Sequence, residues 1–111
     1  MLRSIGDPVH RPVDIPDSAR AAIETVAAHP AVRAIIVFGS RAEGDHDARS
    51  DIDVAIEAPD LDGAALDRLR DRVGHCRTLY RISVAKLDTM PSALKDRVLA
   101  QGIRIYERAE A

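Results

Sequence analysis

Two aspartates are the residues of this chain whose types and spacing first suggest chemistry. Asp51 and Asp53 stand two residues apart in the alternating segment 51–57, so on a strand their side chains point to the same face. Two ionised carboxylates held so close repel each other unless a cation lies between them. Mg²⁺ suits them, because it prefers oxygen ligands and is usually held by one or two carboxylates plus substrate phosphates. The pair therefore predicts a magnesium site.

A glycine–serine pair precedes the aspartates and predicts a phosphate site. Gly39 and Ser40 follow the apolar run 31–38, whose length and β-branched content favour a buried strand. The missing side chain at Gly39 lets a phosphate approach the backbone, the N–H groups at the start of a following helix attract anions, and the Ser40 hydroxyl can donate one more hydrogen bond. Residues 41–50 give the chain room to return and place Asp51 beside this corner. Phosphate and metal would then share one cleft, which suits phosphoryl or nucleotidyl transfer.

The apolar pattern elsewhere predicts the elements that must position this cleft. Asp17 or Ser18 is expected to cap a first helix, and Asp88 or Ser92 a last one. The alternation of helices and strands indicates an α+β fold, an α/β sandwich in which helices pack on a small mixed β-sheet. Helices are predicted from residue 17 or 18 to about 29, over 61–76, and from 88 or 92 to 101, and strands over 31–38, 51–57, 80–87 and 103–106, the last as a short edge strand.

Length and composition limit the class of protein. The 111 residues, 46% hydrophobic and 31% charged, fit one domain, which we place at residues 18–107 behind a proline-containing extended lead-in at residues 1–17. A net charge of −2 without a basic patch disfavours direct nucleic-acid binding. The sequence shows neither a secretory signal nor an apolar run long enough for a membrane span, so a cytoplasmic location is expected.

Residues 39–53 resemble the nucleotidyltransferase motif of the DNA polymerase β superfamily: Gly-Ser, a gap of ten residues (41–50), then Asp-x-Asp. The short chain and its ending, Leu87-Asp88-Thr89-Met90-Pro91 through Gly102-Ile103-Arg104-Ile105-Tyr106, resemble the minimal nucleotidyltransferases, and the resemblance covers roughly residues 18–107.

The resemblance implies roles for the residues of the motif. It implies that Gly39 and Ser40 hold the terminal phosphates of ATP, and that Asp51 and Asp53 bind Mg²⁺. Arg41 also matches the motif and is a candidate phosphate contact. Members of the family commonly act as the antitoxin of a HEPN-domain toxin, and some transfer AMP from ATP to a tyrosine of that toxin. A hetero-oligomer with such a toxin, or a homo-oligomer, is therefore expected.

The chain departs from the family pattern at one position. Active members carry a third carboxylate on the next strand, and Ser83 stands at that place here. Serine neither adds negative charge nor readily accepts a proton, and losing a catalytic group often costs about 10²-fold or more in rate. Three functions stay open: an adenylyltransferase antitoxin, an antitoxin that neutralises its partner by binding alone, and a small-molecule nucleotidyltransferase. The length of the chain counts against the third.

Overall fold

A computed structural model describes residues 15–39, 51–76, 78 and 80–108. The predictions for residues 1–14, for Ser40 and Arg41, and for the start of a helix after Gly39 lie outside that part of the chain. None of the helices it describes is long and apolar enough to cross a membrane. In chain order the elements are α1 (Asp17–Ala27), β1 (Ala34–Phe38), β2 (Ile52–Glu57), α2 (Gly63–Gly74), β3 (Ile82–Lys86), a single 3₁₀ turn (Leu87–Thr89), α3 (Ser92–Gln101) and β4 (Ile103–Glu107).

The four strands form one mixed sheet in the order β3-β2-β1-β4. β1 runs antiparallel to both β2 and β4, whereas β2 and β3 are parallel and are joined through α2, as a parallel pair requires a crossover connection. This arrangement confirms the predicted α+β fold, and β4 occupies the edge position expected for residues 103–106. Because β1 and β2 are antiparallel neighbours, the corner after β1 and the start of β2 lie side by side.

One face of the sheet is covered by α1 and α2 and forms the main core. The period-two pattern of β2 sets this arrangement, since Ile52, Val54 and Ile56 are completely buried against the helices while Asp53 and Glu57 on the opposite face are half-buried. The helices contribute a matching apolar stripe at helical spacing. Its buried members are Ala19, Ala22, Ile23, Val26 and Ala27 of α1 and Leu66, Leu69 and Val73 of α2.

The other face of the sheet is covered only in part. Val98 of α3 packs there against Ile36 and Ala55, in a small second cluster. The two leucines of α3 remain in contact with solvent, Leu94 at 37% and Leu99 at 50% exposure. Within the described part of the chain, this face is therefore open near the start of β2, where Asp53 lies.

The predicted caps of the first and last helices are wrong. Pro16 and Pro91 stand at the N-cap positions, and neither helix has a side-chain cap hydrogen bond. Asp17 is instead the first residue of α1, where its carboxylate lies 3.3 Å from Nε of Arg20, one turn ahead. Both prolines hold the extended backbone that an N-cap residue normally adopts (φ −58° and −55°, ψ about 145°), so the chain enters each helix without a side-chain acceptor.

Candidate functional site

The corner after β1 is built around close contact between a glycine and an aspartate. β1 and β2 pair so that Phe38 lies opposite Asp53, and Gly39 follows with a φ of +75°. This left-handed backbone strongly favours glycine. A Cβ atom at Gly39 would also lie only 2.7 Å from Oδ2 of Asp53. The carboxylate therefore occupies the space that a side chain at this corner would take.

The second aspartate lies close enough to affect the first. Asp51 is exposed and stands immediately before β2, whereas Asp53 is half-buried within it. Burial raises the pKa of the Asp53 carboxyl above its usual range, and the negative charge of Asp51 raises that pKa further. A bound cation would oppose both effects. The donor set, two neighbouring carboxylates, thus fits a hard divalent cation such as Mg²⁺.

Ser83 lies directly beside this pair. The parallel register of β2 and β3 places Ser83 opposite Asp53, on strands that in any sheet are separated by about 4.8 Å. Ser83 is exposed, while its neighbour Val84 is buried in the main core on the other face. Among the described residues, no group of three or more His, Cys, Asp or Glu side chains is placed to hold a metal ion. In the part of the site that is described, a neutral hydroxyl thus adjoins the aspartate pair where a third carboxylate would complete it.

Asp88 does not replace the missing carboxylate. It lies in the 3₁₀ turn beyond the end of β3 that is remote from Ser83, and its Oδ2 is 3.6 Å from Nζ of Lys86. Lys86 is largely buried although it is charged, with a side chain that is only 13% exposed. The turn brings the carboxylate of Asp88 back to the lysine. This explains both the ion pair and the low exposure of the Lys86 side chain.

Of the five predicted site residues, the structure brings Gly39, Asp51 and Asp53 together. Ser40 and Arg41 lie outside the described residues, so their predicted phosphate contacts stay predictions. The three that are described form a negatively charged corner at one end of the two central strands. Such a corner can hold a divalent cation with a phosphate group next to it.

One arginine of α2 is bound to the strand that carries Ser83. Arg70 of α2 donates a hydrogen bond from Nε to the carbonyl oxygen of Val84, at 2.9 Å. β3 is an edge strand of the sheet. The guanidinium group of Arg70 binds the carbonyl group of Val84, the residue next to Ser83, on this strand. No spacing rule in the sequence distinguishes Arg70 from the neighbouring arginines of the helix, because the contact depends on where the sheet edge lies.

Similar proteins share this fold. The family model described as "Polymerase beta, Nucleotidyltransferase" matches residues 21–111. Among solved structures, a toxin–antitoxin with AMP-PNP is 23% identical, with a TM-score of 0.66 over 84% of this chain and 75% of the other. The tri-AMPylated HEPN toxin of Shewanella oneidensis in complex with MNT antitoxin gives 22% identity and a TM-score of 0.60, over 82% of this chain and 71% of the other.

A third solved structure, the toxin–antitoxin MntA-HepT, is 22% identical with a TM-score of 0.59, over 82% of this chain and 71% of the other. Among curated proteins the chain has no match. At these identities the structural likenesses bear on the fold alone, whereas the family model spans most of the sequence, including the corner and both aspartates. The chain belongs to the polymerase β nucleotidyltransferase family.

Proposed function

We propose that this protein binds ATP with Mg²⁺ at the corner formed by Gly39, Asp51 and Asp53, and that it acts as the antitoxin of a HEPN-domain toxin by transferring AMP to a hydroxyl group of that toxin. The observation that carries the proposal is the contact between Asp53 and the backbone of Gly39, because it brings the proposed metal ligand next to the proposed phosphate corner. Two of the solved structures with this fold, one a toxin–antitoxin with AMP-PNP and one an AMPylated HEPN toxin with its MNT antitoxin, support the choice of nucleotide and partner.

Each part of the site has its own role in the proposed reaction. The acceptor oxygen, which we take to be a tyrosine hydroxyl, attacks the α-phosphorus of ATP. The bond from that phosphorus to the oxygen bridging the α- and β-phosphates breaks, and pyrophosphate leaves. Mg²⁺ bound to Asp51 and Asp53 would neutralise charge on the phosphates. The corner at Gly39 admits the phosphates to the backbone, with Ser40 as a further predicted donor.

This reaction needs a base that accepts the proton of the acceptor hydroxyl. Ser83 lies opposite Asp53, where the family pattern has a carboxylate that can serve as the base. A serine hydroxyl is a poor proton acceptor at neutral pH, and loss of general-base catalysis typically costs 10²- to 10⁴-fold. We therefore expect nucleotide binding to persist and AMP transfer to be slow.

This same observation favours a second function, an antitoxin that neutralises its toxin by binding alone. A toxicity-rescue experiment separates the two, using a HEPN-domain toxin encoded beside this chain and the double variant Asp51→Asn/Asp53→Asn. If AMP transfer neutralises the toxin, the wild type restores growth and the double variant does not. Full rescue by the double variant would show that binding suffices.

Two measurements with the purified chain test the proposal directly. Calorimetric titration with ATP and Mg²⁺ is expected to give saturable binding that the double variant lacks, and absence of heat and saturation in the wild type would remove the nucleotide site. Incubation of the toxin with ATP labelled at the α-phosphate is expected to label the toxin slowly. Label at the γ-phosphate must not transfer, since pyrophosphate is the leaving group.

A further inference from the structure

Arg81 stands immediately before β3, at the end of the sheet where the corner lies. The backbone N–H of Ile52 donates a hydrogen bond to the carbonyl oxygen of Arg81, at 2.9 Å, so the pairing of β2 with β3 begins at these residues. Ile82 packs against the main core, whereas Arg81 and Ser83 on either side of it are exposed. Because side chains alternate along a strand, Arg81 lies on the same face of the sheet as Ser83 and Asp53.

The positive charge of Arg81 is unpaired. Within the part of the chain that the structure describes, its guanidinium group makes neither an ion pair nor a hydrogen bond, although Asp51 stands before β2 as Arg81 stands before β3. A guanidinium group stays charged throughout the neutral pH range. Two residues of a strand span about 6.6 Å, which the long arginine side chain can cover. Arg81 therefore brings a positive charge within reach of the position of Ser83.

The order of the strands decides which part of the substrates would meet this charge, and this step rests on the proposed function. The attacking and leaving oxygens lie roughly in line on opposite sides of the transferred phosphorus. Asp53 lies between Gly39, at the end of β1, and Ser83 on β3. We have assigned the terminal phosphates, which leave as pyrophosphate, to the corner at Gly39. The acceptor hydroxyl therefore approaches on the opposite side, at Ser83 and Arg81.

A positive charge at the acceptor changes which hydroxyl groups can react. Ser83 is a poor proton acceptor, so the acceptor has to lose its proton without help from a carboxylate. The hydroxyl of tyrosine has a pKa of about 10, and an arginine within about 4–6 Å can lower the pKa of an acid by about 1–3. A larger share of the tyrosine is then ionised at neutral pH. The hydroxyl of serine or threonine is far less acidic and would stay protonated.

We propose that Arg81 binds the acceptor tyrosine of the toxin as its tyrosinate, and that the charge of Arg81 does the work of the missing base. The phenol releases its proton to solvent, and the tyrosinate oxygen then attacks the α-phosphorus of ATP. The bond from that phosphorus to the oxygen bridging the α- and β-phosphates breaks, and pyrophosphate leaves. The guanidinium group keeps its own protons and can also pack against the face of the tyrosine ring. The acceptor is thus a phenol and not an aliphatic hydroxyl.

Two exposed arginines provide a matched pair of variants for the test. Arg81→Gln removes the charge beside Ser83, and Arg72→Gln removes the charge of an exposed arginine near the end of α2. Transfer of AMP from ATP labelled at the α-phosphate to a HEPN-domain toxin encoded beside this chain is measured from neutral pH to beyond about pH 10, where free tyrosine ionises. Calorimetry gives the affinity of each variant for ATP with Mg²⁺.

The expected loss of transfer depends on pH. Arg81→Gln lowers transfer at neutral pH by about tenfold or more, as expected when the pKa of the acceptor rises by 1 or more. The loss shrinks as pH rises and disappears where tyrosine is ionised without help. ATP affinity stays unchanged, Arg81→Lys keeps most of the rate, and Arg72→Gln changes nothing. A toxin with serine in place of its acceptor tyrosine is not labelled.

A second measurement does not depend on turnover. Fluorotyrosine is incorporated into the toxin alone, and the ¹⁹F resonance of its acceptor residue is titrated with pH in the complex. We expect the acceptor to ionise at a lower pH in complex with the wild type than with Arg81→Gln, and Arg72→Gln to match the wild type. Equal titration with all three proteins would overturn the inference.

Other results would also overturn the inference and are distinguishable from failure of the proposed function. Equal transfer by Arg81→Gln and Arg72→Gln, at the wild-type rate, would leave AMP transfer standing without a role for Arg81. A loss by the same factor at every pH would show that Arg81 acts on the fold or, if ATP binding weakens as well, on the nucleotide. If the wild type binds no ATP, or binds it and labels no toxin, the proposed AMP transfer itself fails, and the inference fails with it.

Discussion

The Asp53 carboxylate lies against the Cα atom of Gly39, so that a Cβ atom there would come within 2.7 Å of Oδ2. Two independent constraints thus act on the same residue, because Gly39 also has a φ of +75°. The left-handed backbone alone would cost a non-glycine residue about 1–2 kcal/mol. The contact adds a second effect, because the Asp53 carboxylate must rotate away from its place to admit a Cβ atom.

Gly39→Ala is therefore expected to damage both stability and binding. We expect the free energy of unfolding to fall by at least about 1 kcal/mol, and the affinity for ATP with Mg²⁺ to fall because the Asp53 carboxylate must move. Chemical denaturation and calorimetry measure the two effects. Gly74→Ala is the matched control: no neighbouring atom lies within 4 Å of its added Cβ, and Gly74 is the last residue of α2 and lacks a positive φ, so we expect this variant not to be destabilised. Equal stabilities of the two variants would contradict the close contact.

Asp53→Asn is expected to stabilise the protein without metal. Burial and the charge of Asp51 raise the pKa of the Asp53 carboxyl, so the folded state holds the proton more tightly than the unfolded state. Stability is then lost as pH rises from the usual aspartate range through the raised folded pKa, and the deficit remains at neutral pH. Asparagine removes it, so in EDTA at pH 7 the variant should unfold at a higher temperature than the wild type.

The pH dependence and the response to metal provide the controls for that prediction. The difference between variant and wild type should shrink as pH is lowered below the usual aspartate pKa, where both side chains are uncharged. Mg²⁺ should stabilise the wild type more than the variant, since the cation opposes the same charge. Asp96→Asn, which removes an exposed carboxylate on α3, should show neither effect. A variant less stable than the wild type at pH 7 in EDTA would contradict the assigned cause.

Arg70 provides a test of how the edge strand is held. Its Nε donates to the carbonyl oxygen of Val84, and removing a hydrogen bond of this kind usually costs about 1 kcal/mol. Arg70→Ala is expected to lower the free energy of unfolding by about that amount and to speed amide hydrogen exchange in β3. Arg68→Ala, which removes an exposed arginine of the same helix, should leave both nearly unchanged. Similar losses in the two variants would mean that Arg70 acts only as a surface charge.

The period-two and helical patterns predicted the parts of the fold that depend on local sequence. Alternation in residues 51–57 predicted a strand with two different faces, and the structure buries Ile52, Val54 and Ile56 on one face and leaves Asp53 half-buried on the other. The order of elements predicted the α+β fold, which the four-stranded sheet confirms. The family pattern predicted that Ser83 occupies the position of the third carboxylate. The register of β2 and β3 places Ser83 opposite Asp53.

Features that depend on tertiary geometry were not predictable in the same way. The helical spacing of Leu94, Val98 and Leu99 suggests a continuous apolar stripe, yet only Val98 is buried, because α3 covers just part of the sheet. The burial of Lys86 likewise depends on a turn that returns Asp88 to it, which no spacing in the sequence reveals.

Ser83→Asp is the prediction that bears most directly on whether the protein is an enzyme. The substitution places a third carboxylate opposite Asp53, where it can accept the proton of the attacking hydroxyl. We expect AMP transfer to the toxin, measured with label at the α-phosphate, to rise by about 10²-fold. Without Mg²⁺ the added charge should lower the unfolding temperature, and Mg²⁺ should restore more stability than in the wild type. Ser83→Asn, of equal size and no charge, should do neither. Unchanged transfer by Ser83→Asp, with ATP still bound, would mean that the missing carboxylate is not what limits the reaction, and would favour neutralisation by binding alone.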